Sequence, residues 1–140
     1  MHCQTRDFGA MDFDGQEIFH FVQPPYGFET YKRFALIYDA QIGDHIVWLQ
    51  SVEEPSVCFI LFDPSSLAPY FAPRFPPDTL DLLGDGDWVC WVVGVVSGDG
   101  KRATVNLKSP ILVNLRTRRG AQIILEQDYP VRFPLMREAE

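Results

Sequence analysis

Residues 101–125, KRATVNLKSPILVNLRTRRGAQIIL, carry the pattern that decides the fold class. Residues 103–107 alternate, with Thr104 and Asn106 on one side and Val105 and Leu107 on the other, the two-residue period of a half-covered strand. Pro110 interrupts the run, because it has no N–H for a sheet ladder and is tolerated at edges, strand starts and bulges. Residues 111–113 resume the strand, residues 114–120 turn, and residues 121–125 return as an apolar run. Arg116, Arg118 and Arg119 cluster at the tip of that last turn. The spacing predicts three short strands separated by turn chemistry.

The composition agrees with many short strands. A chain of 140 residues predicts one domain that buries roughly two-thirds of its unfolded surface. With 46% hydrophobic and 14% aromatic residues it has the material for a core, which excludes disorder. Eleven prolines and ten glycines punctuate it too often for long helices. The apolar run at residues 88–96 is too short to cross a membrane as a helix. The opening MHCQ has neither the basic nor the apolar region of a signal peptide. Three cysteines make neither an even disulfide set nor a C-x-x-C pair. Cys58 and Cys90 lie inside apolar runs and read as small hydrophobes, which fits a reducing, cytoplasmic setting.

Charge is unevenly spread. The net charge of −7 divides into −11 over residues 1–100 and +4 over residues 101–140. An acidic chain is a poor general binder of nucleic acid, which calls for clustered Lys and Arg. It is suited to a basic partner protein.

The remaining elements follow in order. Residues 3–6 and 10–13 read as a hairpin turned at Gly9, and residues 18–22 as a strand ended by Pro24 and Pro25. Gly27 takes the positive φ of the next tight turn. Residues 34–38 and 46–50 pair as a hairpin, and residues 57–62 are apolar throughout, so they read as a central strand. Residues 63–77 are dense in proline, against regular strand or long helix. Residues 77–83 form the helix candidate: Pro77 in its first turn, Asp78 and Asp81 in its N-terminal half, Gly84 as its stop. Residues 88–96 are a long strand with Gly94 a bulge or bend, and residues 97–100 loop back into the opening stretch. The expected architecture is all-β: one compact barrel-like or sandwich-like domain over residues 1–136, built of short antiparallel strands with one short helix near residues 77–83. Residues 137–140 are expected to fray.

No catalytic constellation stands out. His2, His20 and His45 are dispersed, so no metal site follows from their spacing. Asp85-Gly86-Asp87 lacks the calcium loop's length and closing Glu and reads as a turn. Ser65-Ser66 lacks the small-residue elbow of a hydrolase nucleophile. Cys58 and Cys90 have no neighbours that would lower a thiol pKa. The arginine cluster reads as a solvated turn pairing with acidic residues, the alternative being a grip on RNA or an acidic partner. Asn106 and Asn114, beside the Pro110 break, read as side chains that bond free backbone groups rather than a partner. Tyr70, Phe71 and Phe75 lie in the proline-dense segment, where they either anchor a partner helix or cap the barrel.

Five phrases in register carry a family resemblance. They are TRDFGAMDFDGQEIFHF from Thr5; Gly27-Phe28-Glu29 followed by Tyr31, Arg33-Phe34 and Leu36-Ile37; Trp48-Leu49-Gln50-Ser51 with Pro55, Phe59 and Asp63-Pro64; TVNLKSPILVN from Thr104; and TRRG with QIIL, Tyr129 and Val131-Arg132. Together the chain resembles the flagellar assembly factor FliW family over nearly its whole length. Val22-Gln23-Pro24-Pro25-Tyr26 departs from the proline-glycine-leucine turn usual there. The resemblance implies a non-enzymatic cytoplasmic adaptor without cofactor. It would bind the translational repressor CsrA, relieve repression of flagellin mRNA, and bind flagellin, which competes for it. It would be a monomer when free, with no direct contact to nucleic acid or membrane. The candidate protein-binding residues are Asp63, Tyr70, Phe71, Phe75, Asn106, Pro110, Asn114, Arg118 and Arg119. The alternative is a β-barrel module for a small ligand or single-stranded RNA.

Overall fold

The computed structural model describes residues 1–41 and 43–136; the expected fraying at residues 137–140 lies outside them. Strands β1 (His2–Gln4) and β2 (Ala10–Asp12) form a separate antiparallel hairpin. The main sheet contains β3 (Ile18–Gln23), β4 (Arg33–Asp39), β5 (Gly43–Ser51), β6 (Cys58–Phe62), β7 (Trp88–Val96), β8 (Arg102–Val105), β9 (Ile111–Asn114), β10 (Arg119–Gln122) and β11 (Phe133–Met136). Its nine strands run β11-β8-β7-β6-β5-β4-β3-β10-β9, and β9 pairs again with β7. That second pairing closes β3, β4, β5, β6, β7, β9 and β10 into a barrel. One edge of β7 serves two neighbours, Trp88–Trp91 against β9 and Gly94–Val96 against β8, so β8 and β11 extend as a flap.

The closed barrel explains the unbroken apolar run of β7. Val89, Trp91 and Val93 turn into the lumen, with Phe19, Phe21, Phe34, Leu49, Leu61, Ile111 and Val113. Trp88, Cys90 and Val92 turn outward into outer clusters. From Trp88 to Val93 both faces of the strand are therefore covered and alternation disappears, while Val95 and Val96 at its end are exposed. Three covers lie outside the barrel. The β1–β2 hairpin packs Cys3 and Phe13 on Ile18, Ala35 and Ile37. The short helix α1 (Thr79–Leu83) presses Leu83 on Leu112, Ala121 and Ile123. The proline-dense segment packs Phe71 against Val92, Val105, Leu107 and Leu125.

Several details depart from the expected pattern. The helix begins at Thr79 rather than Pro77, because Thr79 N–H closes a turn on the Pro76 carbonyl (3.0 Å). The returning strand starts at Arg119 rather than residue 121, since Asn114 Oδ1 accepts from the N–H groups of both Arg116 and Thr117 and finishes the turn early. That strand pairs in parallel with β3, an exception to the antiparallel expectation. Gly94 is neither bulge nor bend: its pairing with Ile60 is in regular register, and a Cβ there would lie 2.2 Å from the Phe62 ring. Gly9 (φ 68°) and Gly27 (φ 86°) turn the chain where expected.

Candidate functional site

The segment following β6 builds a capped turn bordered by two hollows. Asp63 Oδ1 accepts from Ser65 N–H (2.9 Å) and caps a 3-10 turn, Pro64–Leu67, whose Pro64 is buried. The turn lies across the outward face of β7 and leaves a hollow on each side. One, of about 420 Å³, is lined by Phe62, Leu67, Val92, Val96, Ala103, Val105 and Leu135, with His45, Ser65 and Ser66 at its polar side. The other, of about 350 Å³, is lined by Ala68, Phe71, Pro73, Trp88, Val89 and Cys90. Asp63, Pro64 and Ser65 border both.

Beyond the turn, two residues remote in sequence hold the chain. Tyr129 Oη donates to the Tyr70 carbonyl (3.0 Å) and accepts from Ala72 N–H (2.9 Å). Gln127 donates to the Ala72 carbonyl (3.0 Å) and accepts from Arg74 N–H (2.7 Å). Proline lacks donors of its own, so this segment takes its order from side chains. Neither Gln127 nor Tyr129 stood out as a site residue, because a partner more than fifty positions away leaves no local pattern.

The expected site residues separate into two groups. Tyr70 is 52% exposed and stacks on Phe133 (5.3 Å between ring centres). Phe71 is only 5% exposed, with Tyr129 edge-on to its ring, so it is a cap and not an exposed anchor. Phe75 is half-buried against two outer clusters and also caps. Asp63 is thus exposed at the border of both hollows, and Tyr70 is exposed but lines neither.

The other group lies at backbone junctions. Asn106 Oδ1 accepts from the N–H groups of Lys108 and Ser109. Pro110 is buried and its carbonyl accepts from Ile123 N–H. Asn114 is fully buried, and its Nδ2 donates to the carbonyls of Leu83 and Gly84. The arginines pair with a ring and a carbonyl instead of the expected carboxylates. Arg118, at φ 61°, lies 5.1 Å over the Phe19 ring, and Arg119 donates to the Leu82 carbonyl (3.3 Å). No ion pair reaches either among the described residues.

The thiols of Cys58 and Cys90 are not activated. Burial pushes Cys90 up to about 12, and the Asp63 charge adds to it. Burial likewise takes Cys58 up to about 11, against the lowering effect of Arg6. A thiol held protonated is a weak nucleophile. Among the described residues no group of three or more His, Cys, Asp or Glu gathers as a metal site, and no helix is long and apolar enough to cross a membrane.

These features define a class, a small closed β-barrel with outer covers and two apolar hollows divided by a carboxylate-bearing turn. Within that class the chain belongs to the FliW family: the family model described as FliW protein matches residues 2–135. Relatives called flagellar assembly factor FliW include one from Moorella thermoacetica, 34% identical over 144 residues, covering 99% of this chain and 90% of the relative. Another, from Symbiobacterium thermophilum, is 35% identical over 127 residues, covering 88% and 92%. A crystal structure of the flagellar assembly factor FliW matches with a TM-score of 0.89 at 28% identity, covering 99% of both chains.

Proposed function

We propose that this chain is a cytoplasmic flagellar assembly factor acting as a non-enzymatic adaptor. It binds a CsrA-type translational repressor, lifts repression of flagellin mRNA, and is withdrawn when unsecreted flagellin competes for it. The observation that carries this reading is the continuous family match over residues 2–135, with relatives of the same name aligning across nearly their own full length. The net charge of −7 supports a cationic protein partner and no direct contact with RNA. The adaptor works as a monomer, without cofactor or membrane.

A mobility-shift experiment tests it. Repressor is first bound to the flagellin mRNA leader, and the purified chain is then titrated in. The RNA is expected to be released, and excess flagellin is expected to restore the repressor–RNA complex. A repressor–RNA complex indifferent to saturating amounts of the chain would rule the reading out.

A further inference from the structure

The turn between β9 and β10 carries three cations, Arg116, Arg118 and Arg119, that no carboxylate neutralises among the described residues. Acidic residues are near, since the Asp87 carbonyl accepts from Leu115 N–H (2.9 Å), yet none pairs with them. The backbone of the turn is already satisfied by Asn114, whose Oδ1 accepts from Arg116 and Thr117 N–H and whose carbonyl accepts from Arg118 N–H. Building the turn therefore asks nothing of the arginine side chains. Arg118 works against it, as the one residue other than glycine at positive φ (61°) among the described residues. Glycine and asparagine visit that region readily; a long side chain there stores strain, and strain of this kind collects where ligands are held.

The three guanidinium groups diverge. Arg118 lies 5.1 Å over the ring of Phe19, a lumen residue. Arg119 reaches outward to the Leu82 carbonyl of α1 (3.3 Å), and Arg116 flanks Gly86, where a Cβ would lie 2.9 Å from its own. Arg119 also stands opposite His20 across β10 and β3, and His20 opposite Arg33 across β3 and β4. With strands about 4.8 Å apart, that outward row spans roughly 10 Å. Arg33 already meets Glu53 (3.6 Å), so the open end of the row is at Arg119 and His20. Apolar surface adjoins it: Leu115, in the same turn, is 41% exposed.

We propose that this rim binds an acidic peptide segment of a partner protein, separate carboxylates meeting Arg116, Arg118 and Arg119 while an apolar side chain rests on Leu115. The adaptor reading calls for a cationic partner, so this is a second surface of opposite preference, and the two stand or fall separately. A single small anion is disfavoured, because groups that diverge toward Phe19, Leu82 and Gly86 cannot converge on one point. Carboxylates spaced along a peptide can meet them one by one, each through a charge-assisted hydrogen bond. Single-stranded RNA is disfavoured, since three arginines on a chain of net charge −7 give few phosphate contacts against a repulsive field. An anionic membrane meets the same repulsion and attracts clusters of about four to eight basic residues.

The test is fluorescence anisotropy of a labelled synthetic peptide of Glu and Leu, titrated with the whole chain at low salt. A matched peptide with Gln in place of Glu is the control. The Glu peptide is expected to bind about tenfold or more tightly than the Gln peptide, the gap narrowing as salt rises. Arg116→Gln and Arg119→Gln alter exposed side chains and are each expected to weaken binding a few-fold. Arg118→Asn accepts the positive φ with less strain, so its thermal midpoint should hold or rise while peptide affinity falls. Amide NMR on the unmutated chain guards against a misfolded variant: the Glu peptide should shift residues 115–120 and His20. Equal affinity for the two peptides overturns the proposal, as does undiminished affinity in a folded chain carrying all three substitutions. Amide shifts confined to other surfaces overturn it too. A lowered midpoint with unchanged affinity in Arg118→Asn assigns that side chain to Phe19 and removes it from the site. Tighter binding of a single-stranded oligonucleotide, or of anionic vesicles, than of the Glu peptide overturns the choice of occupant.

Discussion

Trp91 fills the barrel lumen from β7 at 6% exposure, yet its indole Nε1 has no hydrogen-bond partner among the described residues. Trp91→Ala should cost about 3–5 kcal/mol in urea denaturation, as large cavities in packed cores do. Trp91→Phe keeps a ring and removes the unpaired donor, so it should cost less than alanine; a midpoint near wild type for alanine would remove Trp91 from the core. Asn114 is the reverse case, with every polar atom used. Asn114→Ala removes the side-chain acceptor of the Arg116 and Thr117 N–H groups, while the Leu83 and Gly84 carbonyls keep Thr117 Oγ1 and Trp88 Nε1 as donors, so a loss of about 1–3 kcal/mol is expected. Cys90, pushed up to about 12 chiefly by burial, gives a pH signature. A folded pKa raised above the unfolded value of about 8.5 leaves stability intact below that pH and erodes it above. The denaturation midpoint should fall as pH climbs from there toward the folded pKa, and Cys90→Ala should flatten part of that fall. An identical decline in the variant would assign it to other groups.

Pairing between elements explains what single residues leave open. Gly94 permits the Phe62 ring to lie against β7, so Gly94→Val should destabilise by about 1–3 kcal/mol through overpacking. Phe62→Ala in the same chain should recover part of that loss, and strictly additive effects in the double-mutant cycle would refute the contact. The strands themselves were legible, because β8 alternates, Gly9 and Gly27 mark turns, and proline breaks the runs. The backbone roles of Asn106 and Asn114 were legible too, since short amides beside a break compete for free N–H groups. Barrel closure was not. It depends on β9 meeting β7 and β10 meeting β3, pairings with no signature in either strand alone. Exposure within the proline-dense segment was equally hidden. Tyr70 and Phe71 are adjacent aromatics in a stretch without periodicity, and long-range contacts decide which faces water: Phe71 packs with Val92, Val105, Leu107 and Leu125, while Tyr70 stacks on Phe133.

Charge belongs to the whole molecule. A net charge of −7 should leave the purified chain without measurable RNA affinity at physiological salt; a gel shift that weakens steeply with salt would overturn that. The same field should act on the encounter with a cationic partner. Opposite potentials speed association more than they deepen a complex, so the association rate with the repressor should fall as salt rises. Residence should depend instead on apolar anchoring. Phe71 is buried in the fold and Tyr70 is not, so the two aromatics should behave differently. Tyr70→Ala should raise the dissociation rate while the thermal midpoint stays near wild type, because its exposed ring adds little to the core. Phe71→Ala should instead lower the midpoint, as loss of a buried ring does. Surface plasmon resonance across a salt series, run beside thermal denaturation, separates the two. If Tyr70→Ala dissociates like wild type, the ring only shields Phe133, and the partner rests on another face of the barrel.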